Sequence, residues 1–144
     1  MSAVYEKSGL TFAYPSNWKV DDSETQGNRA AVTVHSGTGA FWTVVRQPLA
    51  AEPGLAAEEA LKAMREEYDE LDAEPFQDSL EGFELLGYDV NFICLDFTST
   101  ALIRATNTPG GTVVFFCQAD DREFADVANI FAAMTINVLQ NLAA

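Results

Sequence analysis

The chain has one histidine, two cysteines and eight lysine and arginine residues in 144. Each shortage removes a class of chemistry. Structural zinc needs clustered Cys or His ligands, and Cys94, Cys117 and His35 lie far from CxxC or CxxH spacing. Eight cations against 22 carboxylates leave a formal charge of −14. Phosphate backbones and anionic lipid surfaces are repelled at long range, so neither nucleic acid nor direct anionic-membrane binding is expected. No stretch approaches the length and apolarity of a membrane span, and the start, Met1 to Lys7, lacks the basic and apolar regions of a secretory leader. A cytoplasmic protein is expected, although a trimmed leader would give the same reading.

What is present suits one folded domain over 1–144. At 48% apolar and 21% charged the composition is globular, and a domain of this length buries roughly 70% of its unfolded surface. The cysteines sit in β-like apolar runs and read as packing residues, able to bridge only if their strands are neighbours and the compartment oxidising.

Leu10, Phe12, Tyr14, Trp18 and Val20 alternate around Pro15-Ser16-Asn17, predicting two strand pieces joined by a turn. A polar loop over 21–28 follows. Ala30 to Ser36 and Phe41 to Val45 then alternate around a Ser36-Gly37-Thr38-Gly39 turn. From Leu55 to Leu71 the period becomes helical, with Ala57, Leu61, Met64, Tyr68 and Leu71 on one stripe. Its other face offers Glu58–Lys62, Lys62–Glu66 and Arg65–Asp69 pairs, and Glu58 and Glu59 suit the helix N-terminus. After Pro75 come four β-rich runs, Phe83 to Leu86, Tyr88 to Phe97, Ala101 to Thr106 and Thr112 to Ala119. The last hairpin turns through Pro109, Gly110 and Gly111, with both glycines free to take positive φ. A final helix opens at Asp120, with Glu123 completing a capping box and Phe124, Val127, Phe131, Met134 and Val138 on its apolar face; Gln140 to Ala144 should fray. The order predicts an α+β fold, an antiparallel sheet flanked by two helices.

No reactive constellation emerges. His35 and Ser36 are adjacent strand residues whose side chains point apart, which defeats a Ser-His-Asp triad. Gly37-Thr38-Gly39 lacks the third glycine of a dinucleotide loop, where Trp42 stands. The acidic loop from Asp22 holds Thr33 where a calcium loop needs a bidentate glutamate. Asp21, Asp22, Asp120 and Asp121 could hold a hard cation, but solvated acidic caps explain them better. No cofactor and no catalytic or metal residue is assigned. Among ten Phe, four Tyr and two Trp, most must fill the core, and Trp18 and Trp42 are the candidates for an interaction surface.

The run Gly9-Leu10-Thr11-Phe12-Ala13-Tyr14-Pro15-Ser16-Asn17-Trp18-Lys19-Val20 resembles the F-x-YP-x-x-W-x-V opening of the PsbP-like superfamily. That superfamily includes the photosystem PsbP subunit, the Mog-type Ran-binding import factor and the Eag-type chaperones of bacterial secretion effectors. The resemblance implies an α/β/α sandwich over nearly the whole chain, Gly87-Tyr88 opening a strand within it. Members differ in role, so no binding residue is carried over. Size and compartment match the Eag-type chaperones best. The expected function is a non-catalytic protein-binding module, adaptor or chaperone-like, with a protein partner and a possible homodimer. The alternatives are a small-ligand or cation-binding protein, or an extrinsic subunit of a membrane complex.

Overall fold

Period-two patterning, hairpin turns and two amphipathic helices assemble as one sheet covered on both faces. The structure, a computed structural model, describes residues 1–48 and 51–143. Among these, in chain order, are β1 (Ser2–Lys7), β2 (Leu10–Pro15), β3 (Lys19–Asp21), β4 (Ala30–His35), β5 (Phe41–Gln47), α1 (Pro53–Glu67), β6 (Leu71–Leu80), β7 (Phe83–Cys94), β8 (Phe97–Thr108), β9 (Gly111–Asp120) and α2 (Asp121–Ala143). Strands β1 and β2 form a separate hairpin. The other seven make an antiparallel sheet in the order β3-β4-β5-β9-β8-β7-β6.

Alternation along β9 shows why the sheet needs two covers. Val113, Phe115 and Cys117 enter one apolar cluster, with α2 and the β1–β2 hairpin, while Val114 and Phe116 pack against the other, with α1. The fold is therefore α+β, an antiparallel sheet flanked by two helices on opposite faces, as the sequence predicts. Coverage is diagonal. Helix α1 rests on β7 and β8, whereas α2 lies over β8 and β9 and meets β2 of the hairpin, which completes the cover beside it. Gly87 tightens the sheet: a Cβ there would sit 1.7 Å from the Ile103 carbonyl oxygen.

Five expectations change. Helix α1 starts at Pro53, two residues before the expected Leu55, so Glu58 and Glu59 lie past its first turn. It ends at Glu67 because Tyr68 turns extended and its ring packs on Phe92, centroids 4.5 Å apart. Leu71 then pairs with Phe92 as the start of β6, a strand hidden from sequence by Pro75. Proline lacks the N–H a central strand requires, but β6 is an edge strand, where it is tolerated. Third, none of the anticipated helix charge pairs closes; the ion pairs within 4.0 Å among the described residues are Lys7–Asp22, Arg104–Asp89 and Arg122–Asp120. Fourth, the capping box is only half made. Asp120 Oδ1 accepts from the Arg122 backbone N–H at 2.9 Å, but Glu123 Oε2 instead accepts from the Thr38 hydroxyl at 2.7 Å, tying the β4–β5 turn to α2. That helix continues through Gln140, whose amide reaches Glu81 at 2.6 Å, to Ala143, so the expected fraying is not seen there; Ala144 lies outside the described residues.

Candidate functional site

The hairpins β6–β7, β7–β8 and β8–β9 end in tight turns, and the middle one departs from the others. Cys94 pairs with Phe97, leaving Leu95 and Asp96 as a two-residue loop with φ of 52° and 68°. Both central residues of such a turn lie in the left-handed region that Asn-Gly fills at least cost. A leucine there is disfavoured by roughly 1–2 kcal/mol. Burial does not repay it, because Leu95 is 87% exposed. Ile93 and Phe97, at 46% and 44%, stand beside it, so three of the exposed large apolar side chains share one tip.

The start of α2 braces this tip. The Arg122 guanidinium carbon lies 3.5 Å from the Phe97 ring centroid, a cation–π contact. Arg122 is held in turn by Asp120, with Nη2 to Oδ2 at 2.9 Å and Nε to Oδ1 at 3.3 Å. Those hydrogen bonds from Arg122 hold the Asp120 carboxyl below the usual carboxylate range and raise Arg122 above its own. Asp121 accepts from the Thr100 hydroxyl at 2.7 Å. Beside Ile93, Glu70, Asp72 and Asp121 line a shallow depression, and Asp96 lies in the turn itself. The tip is thus an apolar knob within an acidic setting.

The residues singled out from sequence lie elsewhere. Trp18 and Trp42, the candidate interaction surface, are core residues, 8% and 0% exposed. Alternation turns Trp42 inward between Val34 and Cys117, where its indole N–H donates to Thr135 Oγ1 at 3.0 Å and its ring meets Phe12 edge-on at 5.0 Å. Trp18 packs edge-on against Phe131 at 6.1 Å. Both rings join layers of the fold rather than face a partner. His35 is exposed beside Phe41, ring centroids 6.1 Å apart. Cys94 and Cys117 are free and belong to the clusters on opposite faces, with β8 between their strands, so a bridge between them is ruled out. Burial pushes the Cys117 thiol up to about 12. The Ser23 hydroxyl and backbone N–H lower Asp21, while Tyr5 donates to Asp22 at 2.9 Å. Among the described residues no group of three Asp, Glu, His or Cys is placed to share a metal ion, and no helix is long and apolar enough to cross a membrane.

The knob was missed because Leu95-Asp96 carries no glycine, proline or asparagine to announce a turn. One signal was available. Phe92-Ile93-Cys94-Leu95 is four apolar residues in succession, which a strand with a helix on one face has no reason to contain.

No protein-family model matches the chain, and no curated protein matches it in sequence. Solved structures do. The cyanobacterial PsbP protein of Synechocystis, CyanoP, superposes with a TM-score of 0.63 at 13% identity, covering 94% of this chain and 90% of the other. A protein of unknown function from Pseudomonas aeruginosa gives 0.52 at 8% identity, covering 94% of each chain. LpqN, described as involved in cell envelope biogenesis of Mycobacterium tuberculosis, gives 0.50 at 12% identity, covering 93% and 80%. The chain has a PsbP-like fold, and at these identities the likeness is one of fold alone.

Proposed function

We propose that this chain is a non-catalytic protein-binding module that docks through the β7–β8 tip. The carrying observation is Leu95, which is both in an unfavourable backbone region and 87% exposed. Strain retained without any compensating contact inside the chain is characteristic of functional positions. Exposed aromatic and aliphatic anchors held rigidly are what interfaces use, and Arg122 holds Phe97 in this way. The acidic residues Glu70, Asp72, Asp96 and Asp121 favour a partner whose apolar pocket is edged by lysine or arginine. A second copy, carrying the same −14 charge, is the poorer match, and so are nucleic acid and anionic lipid.

Within the PsbP-like superfamily this reading lies nearest the adaptors and the Eag-type chaperones. With it goes a cytoplasmic location, which the resemblance to the Eag-type chaperones implies. The test compares the immobilised 144-residue chain with its Leu95→Asn/Asp96→Gly variant, which changes the knob and relaxes the turn. Proteins retained by the first and lost by the second, with unchanged folding of the variant by circular dichroism, are expected. Identical retention by both, or nothing above a blank matrix, overturns the proposal.

A further inference from the structure

Beneath α2, on the side away from the β1–β2 hairpin, is a cavity of about 190 Å³. Its walls are Leu80 and Leu85 from β6–β7, Leu102 and Phe115 from β8–β9, and Phe131 from α2. The space exists because α2 offers Ala128 and Ala132, one turn apart on the face that lines it. A partly open apolar cleft of this size has room for a benzene-sized body.

The polar groups at its margin already have hydrogen-bond partners within the chain. Phe76, Gly87 and Arg104 lie in register across three strands, so Arg104 and Phe76 meet over a residue with no side chain. The guanidinium carbon stands 3.5 Å from the Phe76 centroid. Its Nη2 pairs with Asp89 Oδ1 at 2.7 Å, and Nη1 donates to the Tyr88 and Ile103 carbonyls at 3.2 and 3.0 Å. These bonds use three of the five N–H donors that arginine carries. Asp78, on the rim, accepts from the backbone N–H of Ser79 at 2.8 Å. Cys117, buried in the wall, is a neutral thiol at physiological pH. The Asp78 carboxylate at the rim opposes an anionic ligand, and the Arg104 guanidinium in the wall opposes a cationic one. A hydroxyl or carbonyl end meets no such opposition: Arg104 can donate to either, and Thr135 Oγ1, whose own proton goes to the Phe131 carbonyl at 3.0 Å, can still accept from a hydroxyl.

We propose that this cavity binds a small uncharged molecule with an apolar body, aromatic or short alkyl, and a single hydroxyl or carbonyl end. The site is separate from the β7–β8 tip and does not depend on the docking reading. The probes are 4-methylphenol and 1-hexanol, with hexanoate and hexylamine as the charged counterparts, titrated at millimolar concentration into the ¹⁵N-labelled full chain. The neutral probes should shift the amides of Leu102, Cys117, Ala128 and Ala132 in a saturable manner and raise the melting temperature. Ala128→Leu, which fills the space, should weaken binding about tenfold or more; Ala132→Leu, at a more exposed position, serves the same purpose if the first variant fails to fold. The proposal is overturned if the neutral probes leave those amides unmoved, if either charged probe binds as tightly, or if a folded filling variant binds as the parent does.

Discussion

The β8–β9 and β7–β8 turns are two-residue loops at opposite ends of strand β8, and they are built to different purposes. At the first, Pro109 and Gly110 turn the chain, Gly111 takes φ of 128°, and the Thr108 hydroxyl donates to the Gly111 carbonyl at 2.9 Å. Of the two glycines, only Gly111 uses positive φ. Every residue of that loop suits its backbone. At the second, Leu95 and Asp96 occupy the left-handed region without glycine, and the apolar side chain faces water. Local chemistry that agrees with the fold marks a position kept for stability, whereas local disagreement marks one kept for something outside the chain.

Substitutions at the two turns should therefore act in opposite senses. The largest effect is expected for Gly111→Ala, because its Cβ would lie 1.8 Å from the Gln47 carbonyl oxygen and 2.9 Å from the Pro48 carbonyl carbon. A loss of about 3 kcal/mol or more in urea unfolding is expected; a near-neutral result would break the contrast. Leu95→Asn/Asp96→Gly should instead gain about 1 kcal/mol. A destabilised variant would show that Leu95 supports the fold after all.

The first hairpin extends the comparison into pH. Burial, and then the hydrogen bond to Asp22, push the Tyr5 hydroxyl up from 10.0 to about 12. A raised folded value means that the stabilisation is complete below pH 10 and is lost as pH climbs towards 12. Denaturant midpoints should fall across that window in the parent and fall less in Tyr5→Phe; parallel curves would remove Tyr5 as a contributor. The smallest effect belongs to the β6–β7 turn, where Glu81 at φ 52° precedes Gly82 at 84°. Glu81→Asn relaxes the turn but gives up the hydrogen bond from the Gln140 amide, so its net effect should stay within a few tenths of a kcal/mol, less than the double change at the tip. An equal gain would deprive Leu95 of its distinction.

Much of the fold could be read from the chain because burial imposes a period. Val32, Val34, Trp42 and Val44 alternate into one cluster, and Phe131, Met134 and Val138 recur at helical spacing against it. The strands that escaped notice have weaker patterns for physical reasons. Strand β1, with only Tyr5 buried, pairs on one side alone with β2, and the edge strand β6 mixes Pro75 with four acidic or amide residues at exposed positions, Asp72, Glu74, Gln77 and Asp78. Trp18 and Trp42 misled because ring size suits interfaces and cores equally, and only the sheet register distinguishes them. The knob escaped for the reverse reason: the apolar run from Phe92 to Leu95 pointed to it, but exposure at a turn is set by which residues pair, and Cys94 and Phe97 give no local sign that they do.

Diagonal coverage also sets how the molecule should breathe. Strands β8 and β9 have helices above and below, so their amides should be the last to exchange with solvent, while the short rim strand β3 and the opposite rim β6 unzip and reclose on their own. The Leu95 loop joins β7 and β8, the two strands on which α1 rests. Thermal opening of either rim would leave it on a stiff stalk, presented to passing molecules in one fixed orientation.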